Sequence, residues 1–359
     1  MKNLFLTLTI ALVLSQLSGC MAVFKLIQSE ATITHQLDDL VVMKTARSLL
    51  RRDRGLIFEI CKTFYKSYQD VFDVIIVVSN IPKDVFDNSK IGYHGAMATV
   101  RNVEIGTGAS QFDHGDMFFS RNSLRGVMHL PSANLLMGGP SLHEFMHLWV
   151  VDREVIPTVL EAHWGFSSVH GQLGGFDLDN LVDLGEGKYS AGVFGINANF
   201  GNSLPYAPLE LYLAGWIAAE EVPDIWVAED GEYQFEVDPS NRDKKKIQQG
   251  PDGSPIFTAT NTSIWSIDQI VDVLGERIPN VRDSQKEFRV AVVLVGNEDF
   301  PVTDEDIEFL RTQVALFSSK SSLRTSKEPG MYNFWDATGG RASIHTDGLN
   351  DLQRHPEYN

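Results

Sequence analysis

Residues 138–149 read Gly138-Gly-Pro-Ser-Leu-His-Glu-Phe-Met-His-Leu-Trp149. On an α-helix, residues four apart share one face, so His143 and His147 would present two imidazoles to a single ion with Glu144 beside them. Two neutral imidazoles suit Zn²⁺, which lowers the pKa of a bound water toward about 7, and an adjacent carboxylate can take that water's proton. A plainer reading is also open, in which Ser141 and Glu144 form a capping box at a helix start opened by Pro140 or Ser141. Leu142, Phe145, Met146, Leu148 and Trp149 surround the polar trio. So apolar a run is a costly place for two histidines and a glutamate unless a metal engages them.

Working outward, hydrophobic periodicity predicts a largely helical stretch over 37–70, with Ile57, Ile60, Cys61, Phe64 and Tyr68 on one stripe and Gly55 interrupting. Asp73 to Ser79 is a continuous β-branched run, the pattern of a buried strand. Ile91 to Val103 and Leu124 to Leu130 read as two further strands, joined by a loop over 104–123. Beyond residue 225, Glu232 to Val237 alternates like an exposed strand, and Arg242 to Ile247 reads as a basic, solvated loop. Ser266 to Leu274 reads as a short helix and Phe288 to Val295 as a buried strand. Thr303 opens a helix with Ile307, Leu310, Val314 and Phe317 on its apolar face.

A helix, then strands, then a His-Glu-x-x-His helix resembles the N-terminal half of zincin metallopeptidases. The resemblance implies an α+β, zincin-like fold: a mixed sheet with the HExxH helix, plus a C-terminal α/β extension. It also implies a Zn²⁺ cofactor and a peptide or protein substrate that pairs with an edge strand of the sheet. Leu124 to Leu130 is the expected edge strand, with an ordinary interior strand as the alternative. The run from His143 to Gly175, Tyr206-Ala-Pro-Leu-Glu-Leu-Tyr-Leu-Ala-Gly215 and Trp335-Asp-Ala-Thr-Gly-Gly-Arg341 resemble segments of a group of exported bacterial zincin-like proteins.

Two helical histidines leave a catalytic zinc one protein ligand short. His163, sixteen residues past His147, is the expected third ligand, and Glu210, on a helix that Pro208 opens, is the alternative. Arg153 occupies the position where the metzincin pattern would require a His or Asp. A donor to the developing oxyanion is needed as well, commonly Tyr or His in zincins, which nominates Tyr206 and Tyr212.

Lys2, the apolar run Leu4 to Leu14 and Leu17-Ser-Gly-Cys20 have the layout of a signal segment. The ending resembles the lipobox of bacterial lipoproteins, which implies a lipid anchor on Cys20 and an exported, envelope-attached protein, sorted to the outer membrane in a Gram-negative cell. Cys61 is then the one remaining thiol, and its apolar setting reads as core. Asp and Glu outnumber Lys and Arg by 47 to 30, for a net charge of −17. Such a balance argues against nucleic acid and anionic headgroups as partners, so membrane attachment is expected from the lipid and not from a basic patch. The expected layout is a signal peptide over 1–19, a catalytic region over 20–225 and a C-terminal region over 226–359 with a β-rich insertion at 226–262. The expected activity is zinc-dependent hydrolysis of peptide bonds with Glu144 as general base. A metal-retaining surface binder without turnover and a zinc amidase or deacetylase are the alternatives.

Overall fold

The computed structural model of the chain describes residues 31–49, 53–88, 94–238, 241–323 and 330–354, so the expected signal segment and Cys20 lie outside the described residues. A seven-stranded sheet runs through them. Its strands are β1 (Thr32–Gln36), β2 (Val41–Lys44), β3 (Val74–Ser79), β4 (Ala96–Thr99), β5 (Gly126–Leu130), β6 (Glu287–Gly296) and β7 (Ser343–His345). The order in space is β1-β2-β6-β3-β5-β4, with β7 paired to one end of β6. Strands β2, β6, β3 and β5 are parallel to their neighbours, while β1 and β4 pair antiparallel at the two edges. The fold is therefore mixed α+β around a mixed sheet.

The sequence of β3 explains its central place. Val74, Ile76 and Val78 enter the core on one face of the sheet, and Ile75 and Val77 enter the core on the other. In β6, Val290, Val292 and Leu294 alternate with Ala291, Val293 and Val295 in the same way. A strand covered on both faces needs an apolar residue at every position, and each fully buried Val or Ile stabilises the fold by roughly 1.5–3 kcal/mol. Helix α1 (Arg54–Ser67) covers one face, while α2 (Ser141–Met146), α3 (Pro208–Leu213) and α4 (Asp304–Ser318) belong to the other side. Helix α4 begins at the Thr303 cap and buries the expected stripe of Ile307, Leu310, Val314 and Phe317.

Three expectations need correction. Residues 37–70 do not form one helix: Val41–Lys44 is a strand beside β6, and α1 starts only at Arg54, where Asp53 caps it by accepting from the Leu56 amide at 3.1 Å. Leu40 to Met43 is a short unbroken apolar run, which periodicity cannot assign to helix or strand. Strand β5 is interior, because β4 pairs along its outer side. The edge nearest the HExxH helix is thus β4, and residues 91–93 of that expected strand lie outside the described residues. The basic run is a strand as well: Asn241–Ile247 pairs antiparallel with Phe235–Asp238. No helix among the described residues is long and apolar enough to cross a membrane.

Candidate metal centre

Helix α2 is short and held from outside. Pro140 stands at its N-cap without a capping side chain, so Asn202, sixty residues away, accepts from the Leu142 amide at 3.1 Å. Asn202 also donates to the Leu136 carbonyl at 3.0 Å and to Ser141 Oγ at 2.8 Å. Ser141 gives its own proton to Leu136, which leaves the expected capping box unformed. The apolar side of α2 packs inward, with Phe145 against Phe334 at 4.6 Å between ring centres and Phe288 at 5.6 Å. Leu148 and Trp149 close the helix with tighter three-residue hydrogen bonds to Phe145 and Met146.

The side of α2 that carries His143, Glu144 and His147 meets a loop bearing His163. One ligating atom from each of His143, His147 and His163 lies within 4.8 Å of the others, so these three residues can hold a metal ion. The Nε2 atoms of His143 and His147 are 3.2 Å apart. Tetrahedral zinc with Zn–N near 2.0–2.1 Å would set its nitrogens about 3.3 Å apart.

Tautomers sharpen the case. His143 Nδ1 meets the Gln172 carbonyl at 2.9 Å, His147 Nδ1 the Val150 carbonyl at 2.7 Å, and His163 Nδ1 the Glu161 carbonyl at 2.9 Å. A carbonyl oxygen can only accept, so every Nδ1 carries a proton, and a ring that is neutral then presents its lone pair at Nε2. At 3.2 Å the Nε2 atoms of His143 and His147 need a positive charge between them, either a proton on one ring or a metal ion held by both. Burial also pushes the His143 pKa down to about 4, opposed by its bond to Gln172, and lowers that of His163. Both rings are therefore neutral near pH 7, the form that binds metal.

Glu144 is 7% exposed and lies where β4 begins. A Cβ at Gly95 would stand 3.1 Å from Glu144 Cγ, 3.2 Å from its Oε1 and 3.0 Å from Pro140 Cγ. The absence of a side chain there brings the backbone entering the edge strand flush against the carboxylate.

Glu210 has a different place from the expected alternative ligand. It is fully buried on α3, and its Oε1 accepts from Trp164 Nε1 at 2.8 Å and the Leu173 amide at 2.8 Å. Its Oε2 accepts from the Gln172 amide at 3.0 Å and the Ala207 amide at 2.9 Å. Burial raises its pKa, and these four donors, which suit only an anionic acceptor, oppose that rise. Glu210 thus staples the loop that carries His163 next to Trp164 and the Gln172 carbonyl behind His143. A Cβ at Gly171 would fall 2.4 Å from Glu210 Oε2, so glycine is what allows this approach. The backbone just before His163 is left-handed, with Ala162 at φ 55°.

Each expected tyrosine has a partner outside the three histidines. Tyr206 is 3% exposed and donates its hydroxyl to the Leu142 carbonyl at 2.9 Å, while Tyr212 lies against Arg277, whose charge works against the rise that burial gives the phenol pKa. Two segments quoted for the resemblance do meet, since the Tyr206 amide donates to the Ala337 carbonyl at 3.0 Å. Cys61 is fully buried on α1 and its thiol pKa is raised by burial to about 12, as a core residue's should be. What sequence reasoning missed was the set of carbonyls behind the three rings, because a carbonyl belongs to every residue and leaves no signature. Compared with family models, curated proteins and solved structures, the chain matches none.

Proposed function

We propose that this chain is a zinc-dependent hydrolase of peptide bonds, zincin-like in its site and anchored to a bacterial cell envelope by lipid on Cys20. The observation that supports it most is the convergence of three imidazoles, with a ligating nitrogen of each within 4.8 Å of the others and each Nδ1 bonded to a carbonyl. Zn²⁺ bound there would supply Lewis acidity, making water more acidic and a scissile carbonyl more electrophilic. Glu144 is the general base: its carboxylate takes a proton from the attacking water and returns it to the leaving amine. Strand β4, antiparallel to β5 and next to Glu144, offers main-chain hydrogen bonds to an extended substrate.

Glu144→Gln tests the reading directly. The variant should keep stoichiometric zinc and lose cleavage of an unfolded protein substrate by a factor of roughly 10²–10⁴. Equal cleavage by wild type and variant would remove Glu144 from the chemistry. Bound zinc with no turnover by the wild type would favour the surface-binder alternative.

A further inference from the structure

On the face of the sheet away from the histidines, a pocket of 560 Å³ opens between the end of α1 and the loop that precedes β5. Lys62, Lys66, Arg121 and Arg354 line it, together with Tyr65 and Phe119. Four cations around one cavity are notable in a chain of net charge −17. Of the two carboxylates there, Asp70 has both oxygens engaged, accepting from Ser120 Oγ at 2.6 Å and from the Arg121 and Asn122 amides at 2.7 and 2.9 Å. Those bonds fold the loop so that the Arg121 side chain reaches the cavity. Tyr65 is 2% exposed and lines the same pocket, with its hydroxyl buried beside Ser120. Phe119 is held at φ 61°, a costly conformation for an aromatic residue, and the residue is 45% exposed at the pocket.

We infer that this pocket binds an oxyanion of the phosphate class, clasped by Lys62, Lys66, Arg121 and Arg354, with Phe119 flanking the organic group. Arginine and lysine together suit phosphate oxygens. Two sources share this chemistry, an anionic phospholipid headgroup and a soluble phosphate ester. Ala31 lies against α1, its carbonyl accepting from Thr63 Oγ1 at 2.9 Å. On the proposed reading with lipid on Cys20, a chain from Cys20 to Ala31 reaches at most about 40 Å and keeps the domain close to a membrane.

The test titrates the purified protein with inorganic phosphate by calorimetry, and separately measures its sedimentation with vesicles of phosphatidylcholine containing about one third phosphatidylglycerol, against pure phosphatidylcholine. Saturable phosphate binding, or vesicle binding that needs phosphatidylglycerol, supports the proposal and identifies the source. In either arm, Lys66→Glu with Arg121→Glu should weaken binding at least about tenfold with an unchanged melting temperature. A molecule of this net charge is repelled by an anionic surface as a whole, so vesicle binding must come from a local cluster of cations. Absence of binding in both arms overturns the proposal, and so does binding that these substitutions leave unchanged.

Discussion

Replacing Glu210 by Gln is the sharpest probe of how the metal centre is built. The change is isosteric, but an NH₂ group must replace one carboxylate oxygen, and each oxygen accepts two N–H donors. Whichever way the amide turns, two hydrogen bonds become donor-to-donor contacts. At roughly 1.5–3 kcal/mol for each bond to a charged group, the predicted loss is about 3–6 kcal/mol. It falls on the loop from Trp164 to Leu173, so it should appear both as lower stability and as weaker metal binding, by the roughly 10–100-fold typical of removing a ligand's support. Zinc affinity by competition with a chromophoric chelator, and denaturant unfolding of the metal-free protein, measure the two separately. Trp164→Phe removes one of the four donors and should give a smaller loss in both. The reasoning is refuted if Glu210→Gln is destabilised as predicted yet binds zinc within about threefold of wild type while folded, because the staple would then not reach the histidines.

Two further outcomes follow from the same geometry. Ala162 stands at φ 55°, where glycine is free of the Cβ penalty, so Ala162→Gly should raise the stability of the metal-free protein by up to about 1 kcal/mol in thermal unfolding; a clear loss would mean the left-handed turn before His163 is unstrained. His129, fully buried in β5 with Nε2 3.0 Å from Ser79 Oγ, is held by burial at a pKa of about 3 against an ordinary 6.5. As pH falls below 6.5 the unfolded chain takes up a proton that the folded chain refuses until about pH 3, so stability declines across that window, by up to roughly 5 kcal/mol at about 1.4 per pKa unit. His129→Gln should flatten this part of the stability–pH curve, and an unchanged slope would show that another group governs it.

Much of this was legible from local pattern. The spacing of His143, Glu144 and His147 could be read without a fold, because four residues are one helical turn whatever surrounds them. The run that became β3 declared itself through unbroken β-branched composition, β6 through its Val-rich apolar stretch, and α4 through its Thr303 cap and apolar stripe. His163 was reachable as an expectation, since a metal needs a further donor and few stood nearby. Tertiary structure decided what depends on which chain segments become neighbours. It placed β4 outside β5 and so moved the edge of the sheet, and it surrounded the Glu210 carboxylate with four N–H groups. It also gathered Lys62, Lys66, Arg121 and Arg354 around one cavity, although they are spread over nearly the whole described chain. Helical and strand periods are short-range properties of the backbone and are written in consecutive residues. The orientation of an imidazole, the charge of a pocket and the exposure of a strand's edge are set by groups brought together only when the chain closes on itself, and no local pattern records them.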